Sequence, residues 1–237
     1  MKKLLALTAL VAASGAQAAV LYDNGPVVNG AGLSLLTAPA TTFGFGAQTT
    51  AGNAVADDFS IDPGVTWNVT NLNLYGYQTG ATTFPFTTAT WSVIAGDVNT
   101  GTVVASGVTN VTSGGGLGFR ALSTTPGATN RIIWSIGVDV PDFSISTGSY
   151  FLRWSLTGVL ASGPWQPPTS DASVGNAAQS IGNAAFTTLV ETGSGLQVTL
   201  PFTVIGDVIA VPENGTLALM LAGGVALFGV ARRRAAR

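Results

Sequence analysis

Asp57 and Asp58 are adjacent carboxylates, and with Asp23 they form the acid group of this chain most suited by type to hold a hard cation such as calcium. Neighbouring residues on a strand point to opposite faces, so one of the pair would face a given site and Asp23 or the nearby Asn24 would have to complete it. Carboxylates about 5–9 Å apart can also hydrolyse a glycosidic bond. Here Glu191 is the sole glutamate before residue 212, and no aspartate pair stands in a telling local motif, so the chain reads as non-enzymatic. A third chemistry is sugar stacking. Trp165 sits in the proline-rich stretch SGPWQPPTS, which cannot be a central strand, and an indole on an ordered loop is a platform for a sugar ring. Tyr75 and Tyr77 share the strand face opposite Leu72 and Leu74. They suit either a sheet-face sugar site or a second buried face.

The composition removes most other chemistries. The chain has no cysteine and no histidine. Disulfides and thiol catalysis are absent, the usual zinc, copper and iron ligands are missing, and neither a Ser-His-Asp nor a Cys-His site can be built. Between residues 19 and 212 there is no lysine; three arginines (Arg120, Arg131, Arg153) stand against ten acids, a formal charge of −7. That balance excludes a basic stripe for nucleic acid and any lysine Schiff base. No cofactor is expected beyond the calcium considered above. A surface of Thr, Ser, Asn, Gln and Gly suits a module facing neutral sugars or matrix polymer.

The elements that position these residues alternate with a period of two. In RIIWSIGVDV, Ile132, Trp134, Ile136, Val138 and Val140 share one face. In YFLRWSL it is Tyr150, Leu152, Trp154 and Leu156; in LQVTLPFTV it is Leu196, Val198, Leu200, Phe202 and Val204. Such alternation predicts half-buried strands, with others over 20–22, 55–61, 69–77, 89–95, 102–111 and 185–190. Turn clusters at 62–64 (DPG), 96–101 (GDVNTG), 113–116 (SGGG) and 125–130 (TPGATN) separate them. Pro201 predicts an edge or a bulge in its strand. Trp91, Trp134 and Trp154 fall on alternating strands and are expected in the core. About nine strands in roughly 190 residues predict a single all-β domain over 19–210, an antiparallel sandwich or jelly roll.

The two ends are of another kind. Lys2 and Lys3, the apolar run 4–13 and the small-x-small site Ala16-Gln17-Ala18 have the order of a secretory signal peptide over 1–18. Residues 217–231 hold no charge and would make a helix about 22 Å long, short beside a hydrocarbon core of about 30 Å. Arg232, Arg233, Arg234 and Arg237 follow at once, and basic residues there hold that end in the cytoplasm. Three glycines in the run are more usual in membrane helices than in soluble ones.

The tail resembles a PEP-CTERM sorting signal, the mark of exosortase substrates in Gram-negative bacteria. It covers residues 211–237: a motif at 211–214, a membrane helix over 216–231 and a basic cluster over 232–237. Val211, Pro212 and Glu213 match the motif, and Asn214 stands where a second proline is usual. The order LYDNGP (21–26), DDF (57–59), WSV (91–93) and G-x-Y-x-L (148–152) is similar to that of a loosely defined group of PEP-CTERM exoproteins. These resemblances imply recognition of Pro212 and Glu213 by a membrane-embedded exosortase-type protease, an inner-membrane intermediate oriented by Arg232–Arg234, and release to the cell surface or extracellular matrix. They also imply a β-sandwich without catalytic residues and a possible link to exopolysaccharide or biofilm. The alternative is a carbohydrate-binding module using Trp165, or Tyr75 and Tyr77.

Overall fold

The computed structural model describes residues 18–210. The predicted signal peptide, except for Ala18, and the predicted tail with Val211, Pro212, Glu213, Asn214, Arg232, Arg233 and Arg234 lie outside the described residues. Within them the chain is all-β. Eleven strands run in the order β1 Ala19–Asp23, β2 Leu33–Leu36, β3 Phe45–Gly46, β4 Ala54–Gly76, β5 Phe86–Ala95, β6 Thr102–Leu122, β7 Ile132–Gly158, β8 Trp165–Gln166, β9 Ala178–Ser180, β10 Thr187–Thr188 and β11 Thr203–Ala210. The one helical element described is a 3-10 turn, Thr49–Ala51.

Nine strands form one sheet, ordered β1-β11-β4-β7-β5-β6-β2, with β9 on the first part of β4 and β10 on β9; β3 and β8 form a separate pair. The sheet is mixed, not purely antiparallel as expected. Its β2 runs parallel to β6, from Leu33 opposite Phe119 to Leu36 opposite Leu122. The connection from β2 to β6 passes through two other strands of the sheet, β4 and β5, so no hairpin constrains the direction of β2.

Two pairs of predicted strands are each one long strand. A straight strand of 27 residues would be about 90 Å long, so β7 and its neighbours must bend, and they bend at bulges. In β4 the expected DPG turn is such a bulge. Pairing with β7 runs from Val55↔Trp154 to Ile61↔Gly148 and resumes at Thr66↔Ser146. Residues 62–65 bulge out opposite Thr147, whose hydroxyl donates to the Asp62 carbonyl at 2.8 Å and accepts the Gly64 N–H at 3.0 Å. The expected SGGG turn likewise lies inside β6, where the register with β7 shifts between Ser113 and Gly116 and again before Gly118. Glycine is required at 118: φ is +153° and a Cβ would collide with the Gly32 carbonyl.

The bends bring the two ends of each long strand face to face. Phe59 stacks on Tyr150 at 5.4 Å and on Trp67 at 6.0 Å, and Trp91 of β5 stacks on Phe143 of β7 at 5.9 Å. Leu72, Leu74, Ile136, Leu152 and Leu156 are fully buried between them, each contributing about 1.5–3 kcal/mol. Trp91 and Trp154 are core residues as expected, while Trp134 is half-buried against the same cluster.

The last predicted strand is shorter at its start. Val198, Leu200, Phe202 and Val204 are buried in alternation, but Leu196 is exposed and the regular ladder begins at Thr203. Pro201, with no N–H to donate, lies in the irregular part. The segment predicted over 185–190 is reduced to Thr187–Thr188. A second, smaller cluster covers the other face of β4 and β7, where Tyr75, Tyr77, Ile133 and Val27 pack together. Strict alternation in RIIWSIGVDV predicted one buried face; the loop through Phe43 covers the second.

Candidate functional site

Trp165 is positioned by backbone pairing on both sides. Its N–H donates to the Tyr77 carbonyl at 2.9 Å, the Tyr77 N–H returns a bond of 3.0 Å, and it lies opposite Gly46 of β3. The preceding Gly163 has φ +90°, and a Cβ there would press on the indole. The half-buried indole packs on the Tyr77 cluster, and its Nε1 donates to Ser162 Oγ at 3.3 Å. The proline-rich loop is thus a short ordered strand, and Trp165 lines an open groove of about 770 Å³. The amides of Gln48, Asn53 and Gln179 line the same groove. Asn53 donates to Gln48 Oε1 at 2.7 Å and Gln179 to the Gly46 carbonyl at 2.9 Å, so the polar wall is pre-organised.

One wall of this groove rests on a buried cation that sequence reasoning passed over. Arg120 is 2% exposed, and among the described residues its hydrogen-bond partners are all neutral oxygens. Its Nε donates to the Phe43 carbonyl at 2.7 Å, Nη2 to the Thr42 carbonyl at 3.0 Å and Nη1 to Ser34 Oγ at 3.0 Å. Burial lowers the guanidinium to about 10, which leaves it charged. From the other side Glu191 accepts the N–H groups of Thr41 and Thr42, each at 2.6 Å, and of Ser194. Burial pushes the Glu191 carboxyl up, but these donors outweigh it and hold it at about 2. The segment of Thr41, Thr42 and Phe43 is therefore clamped between a cation and an anion. Arg131 stacks on the Phe43 ring, 3.9 Å from its centroid. Nothing local to residue 120 signals this role; it follows from β2 pairing with β6, which sets Ser34 opposite Arg120.

The two tyrosines predicted with Trp165 are not on an open face. Tyr75 and Tyr77 are 8% and 2% exposed. Tyr75 shares a 3.0 Å bond with Thr203 Oγ1 and receives the Asn73 amide at 3.0 Å. Burial pushes the Tyr77 hydroxyl up to about 12. They form the packed support beneath Trp165.

The predicted acid group is dispersed. Asp23 is exposed, Asp58 half-buried and Asp57 1% exposed. Asp57 faces inward onto N–H donors: Asn24 Nδ2 at 2.8 Å and the Leu200 N–H at 2.7 Å reach Oδ2, and the Asp58 N–H reaches Oδ1 at 2.9 Å. Asn24 also donates to the Leu200 carbonyl at 2.9 Å and accepts the Tyr22 hydroxyl at 3.0 Å. The LYDNGP and DDF stretches, 33 residues apart at Asn24 and Asp57, thus meet in one buried polar network. Burial pushes the Asp57 carboxyl up to about 7, against the pull of the Leu200 and Asp58 N–H groups. Among the described residues no group of three or more acidic side chains gathers to hold a metal.

Fold and site together define, within the described residues, an all-β domain with an aromatic-edged, amide-lined groove. Compared with known proteins, the chain matches no family model and no curated protein.

Proposed function

We propose that this is an exported, non-enzymatic surface or extracellular-matrix protein of a Gram-negative bacterium, sorted by a PEP-CTERM/exosortase-type system. The observation that carries the proposal is the order of segments at the two ends: a signal-peptide pattern over 1–18, and the Val211-Pro212-Glu213 motif, uncharged run and arginine cluster over 211–237. The fold supports it. β1 and β11 are antiparallel neighbours, with Ala19 opposite Gly206. The chain therefore enters and leaves at one end of the sheet edge, and a tail held in the membrane would project the domain from that end. We read the finer architecture as a β-sandwich of jelly-roll type, in which the bent halves of β4, β6 and β7 supply both layers. The test is the mass of the mature protein from its host with both termini identified. Ends near residues 19 and 212–214 are expected; an intact chain ending at Arg237 would refute removal of the tail.

A second reading, carbohydrate binding, is favoured by the Trp165 groove. It combines an indole edge with fixed amides, and no carboxylate among the described residues lines it. A ring-and-amide surface without an acid pair suits binding rather than hydrolysis. Affinity electrophoresis in neutral polysaccharides should show retardation, and Trp165→Ala should weaken it at least tenfold. Equal mobility with and without every polymer would remove this reading.

A further inference from the structure

A second groove, of about 820 Å³, lies on the outer face of the sheet where β4, β7, β5 and β6 run side by side. Its floor follows from the register. Arg153, Ser92 and Ser106 stand in one row across β7, β5 and β6; Ala56 of β4, next in that row, is fully buried and not part of the lining. The next row on the same face holds Ser155, Thr90 and Val108. Small side chains in both rows leave the space open, and Arg153 is the single long one in them. The loop carrying Asn183 and Phe186 forms a rim, tied down by Asn99: its Nδ2 donates to the Phe186 carbonyl at 3.0 Å and its Oδ1 accepts the Phe186 N–H at 2.8 Å.

Among the described residues, Arg153 is the sole charged one lining either groove. Its guanidinium stands 5.2 Å from the centroid of the Phe186 ring. Nη2 donates to the Val98 carbonyl, while Nε is buried without an acceptor. Among the described residues no carboxylate forms an ion pair with it: nearby Asp97, whose charge still acts on the guanidinium, is engaged by the N–H groups of Asn99 and Thr100 and by the Thr100 hydroxyl. A half-buried guanidinium with neutral acceptors only and open space beside it gains from an incoming anion. The hydroxyls and amides around it are the groups that bind sugar hydroxyls.

We propose that this groove binds an acidic polysaccharide, with Arg153 taking the carboxylate of a uronic acid residue and Ser92, Ser106 and Asn183 taking its neighbouring hydroxyls. The ligand is distinct from the neutral sugar assigned to the Trp165 groove, and the inference does not rest on the sorting proposal. A carboxylate is favoured over a single-point anion because the planar guanidinium matches its fork. Only a charged ligand exploits the one cation in an otherwise neutral groove.

The test is affinity electrophoresis of the full chain in detergent, with polygalacturonate as the probe and its methyl-esterified form as the neutral control. Sulfated dextran distinguishes a sulfate from a carboxylate. Retardation by polygalacturonate, at least tenfold weaker with the ester and with sulfated dextran, is expected. Arg153→Gln should weaken it by a similar factor. Ser106→Tyr fills the groove from an exposed position and keeps the arginine, so it decides the matter if Arg153→Gln misfolds; it too should abolish retardation. Retardation that persists in Ser106→Tyr would place binding elsewhere, with the tail arginines the obvious source, and would overturn the proposal. So would the absence of retardation by polygalacturonate, or a stronger effect of sulfated dextran. Since the termini are read by mass and the groove by mobility, failure of one does not imply failure of the other.

Discussion

At the scale of single residues, burial decides what each charged group does. Asp57 and Asp58 are equivalent in type and adjacent in sequence, yet one is sealed in the fold and the other reaches solvent. The sealed carboxyl is raised from 3.8 to about 7 by burial. Its folded value lies above its unfolded one, so its contribution to stability is full below about pH 4 and is lost as the pH rises to about 7. Glu191 acts oppositely: held down from 4.5 to about 2, it stabilises above pH 4.5 and that contribution is lost as the pH falls towards 2. With no histidine in the chain, no ordinary side chain titrates between pH 5 and 7. Urea unfolding from pH 4.5 to 7.5 should therefore show stability falling as the pH rises, by at most about 1.4 kcal/mol per unit. The slope should vanish in Asp57→Asn, whatever the absolute cost of facing an amide towards the Asp58 N–H. A wild-type profile flat over this range would mean that Asp57 is ionised throughout.

At the scale of elements, bulges rather than turns shape the sheet. DPG and SGGG have the composition of turns and act as bends inside continuous strands, because each has a partner strand that resumes pairing beyond it. β11, between β1 and β4, carries another, between Ile205 and Gly206. A Cβ at 206 would collide with the Asn68 carbonyl across the ladder. Gly206→Ala should cost about 1–3 kcal/mol and lower Tm by roughly 2–12 °C for a domain of this size. Gly127 has nothing within 4 Å of the added Cβ, so Gly127→Ala should leave Tm within about a degree or two of wild type, the effect usual for an open surface position. Equal melting of the two variants would show that β11 shifts freely at its bulge.

For the whole molecule, what matters is where the two ends leave the domain. Pairing of β1 with β11 sets the start of the fold beside its exit, so the expected leader and tail would join the domain at one place. If the tail is the address proposed above, its charge asymmetry fixes its orientation. Replacing Arg232, Arg233 and Arg234 together by alanine should lower the yield of surface-delivered protein severalfold, read by fractionation, without changing the Tm of the domain. Unchanged surface yield would argue against orientation by those arginines.

The sequence by itself determined that the region over 18–210 is all-β and that the chain has no thiol or imidazole chemistry. Period-two alternation and the absence of Cys and His are properties of local order and composition, and they do not depend on how strands are arranged. It also placed Trp91 and Trp154 in the core and singled out Trp165, since proline bars that stretch from a central strand. Only the tertiary structure decided which face of each strand is covered. Tyr75 and Tyr77 are buried because a loop distant in sequence folds over them, and Asp57 is buried because Asn24 and Leu200 come to it from both ends of the domain. The groove around Arg153 was likewise illegible, because its floor is made of rows of short side chains drawn from β7, β5 and β6, and only their register brings those rows together.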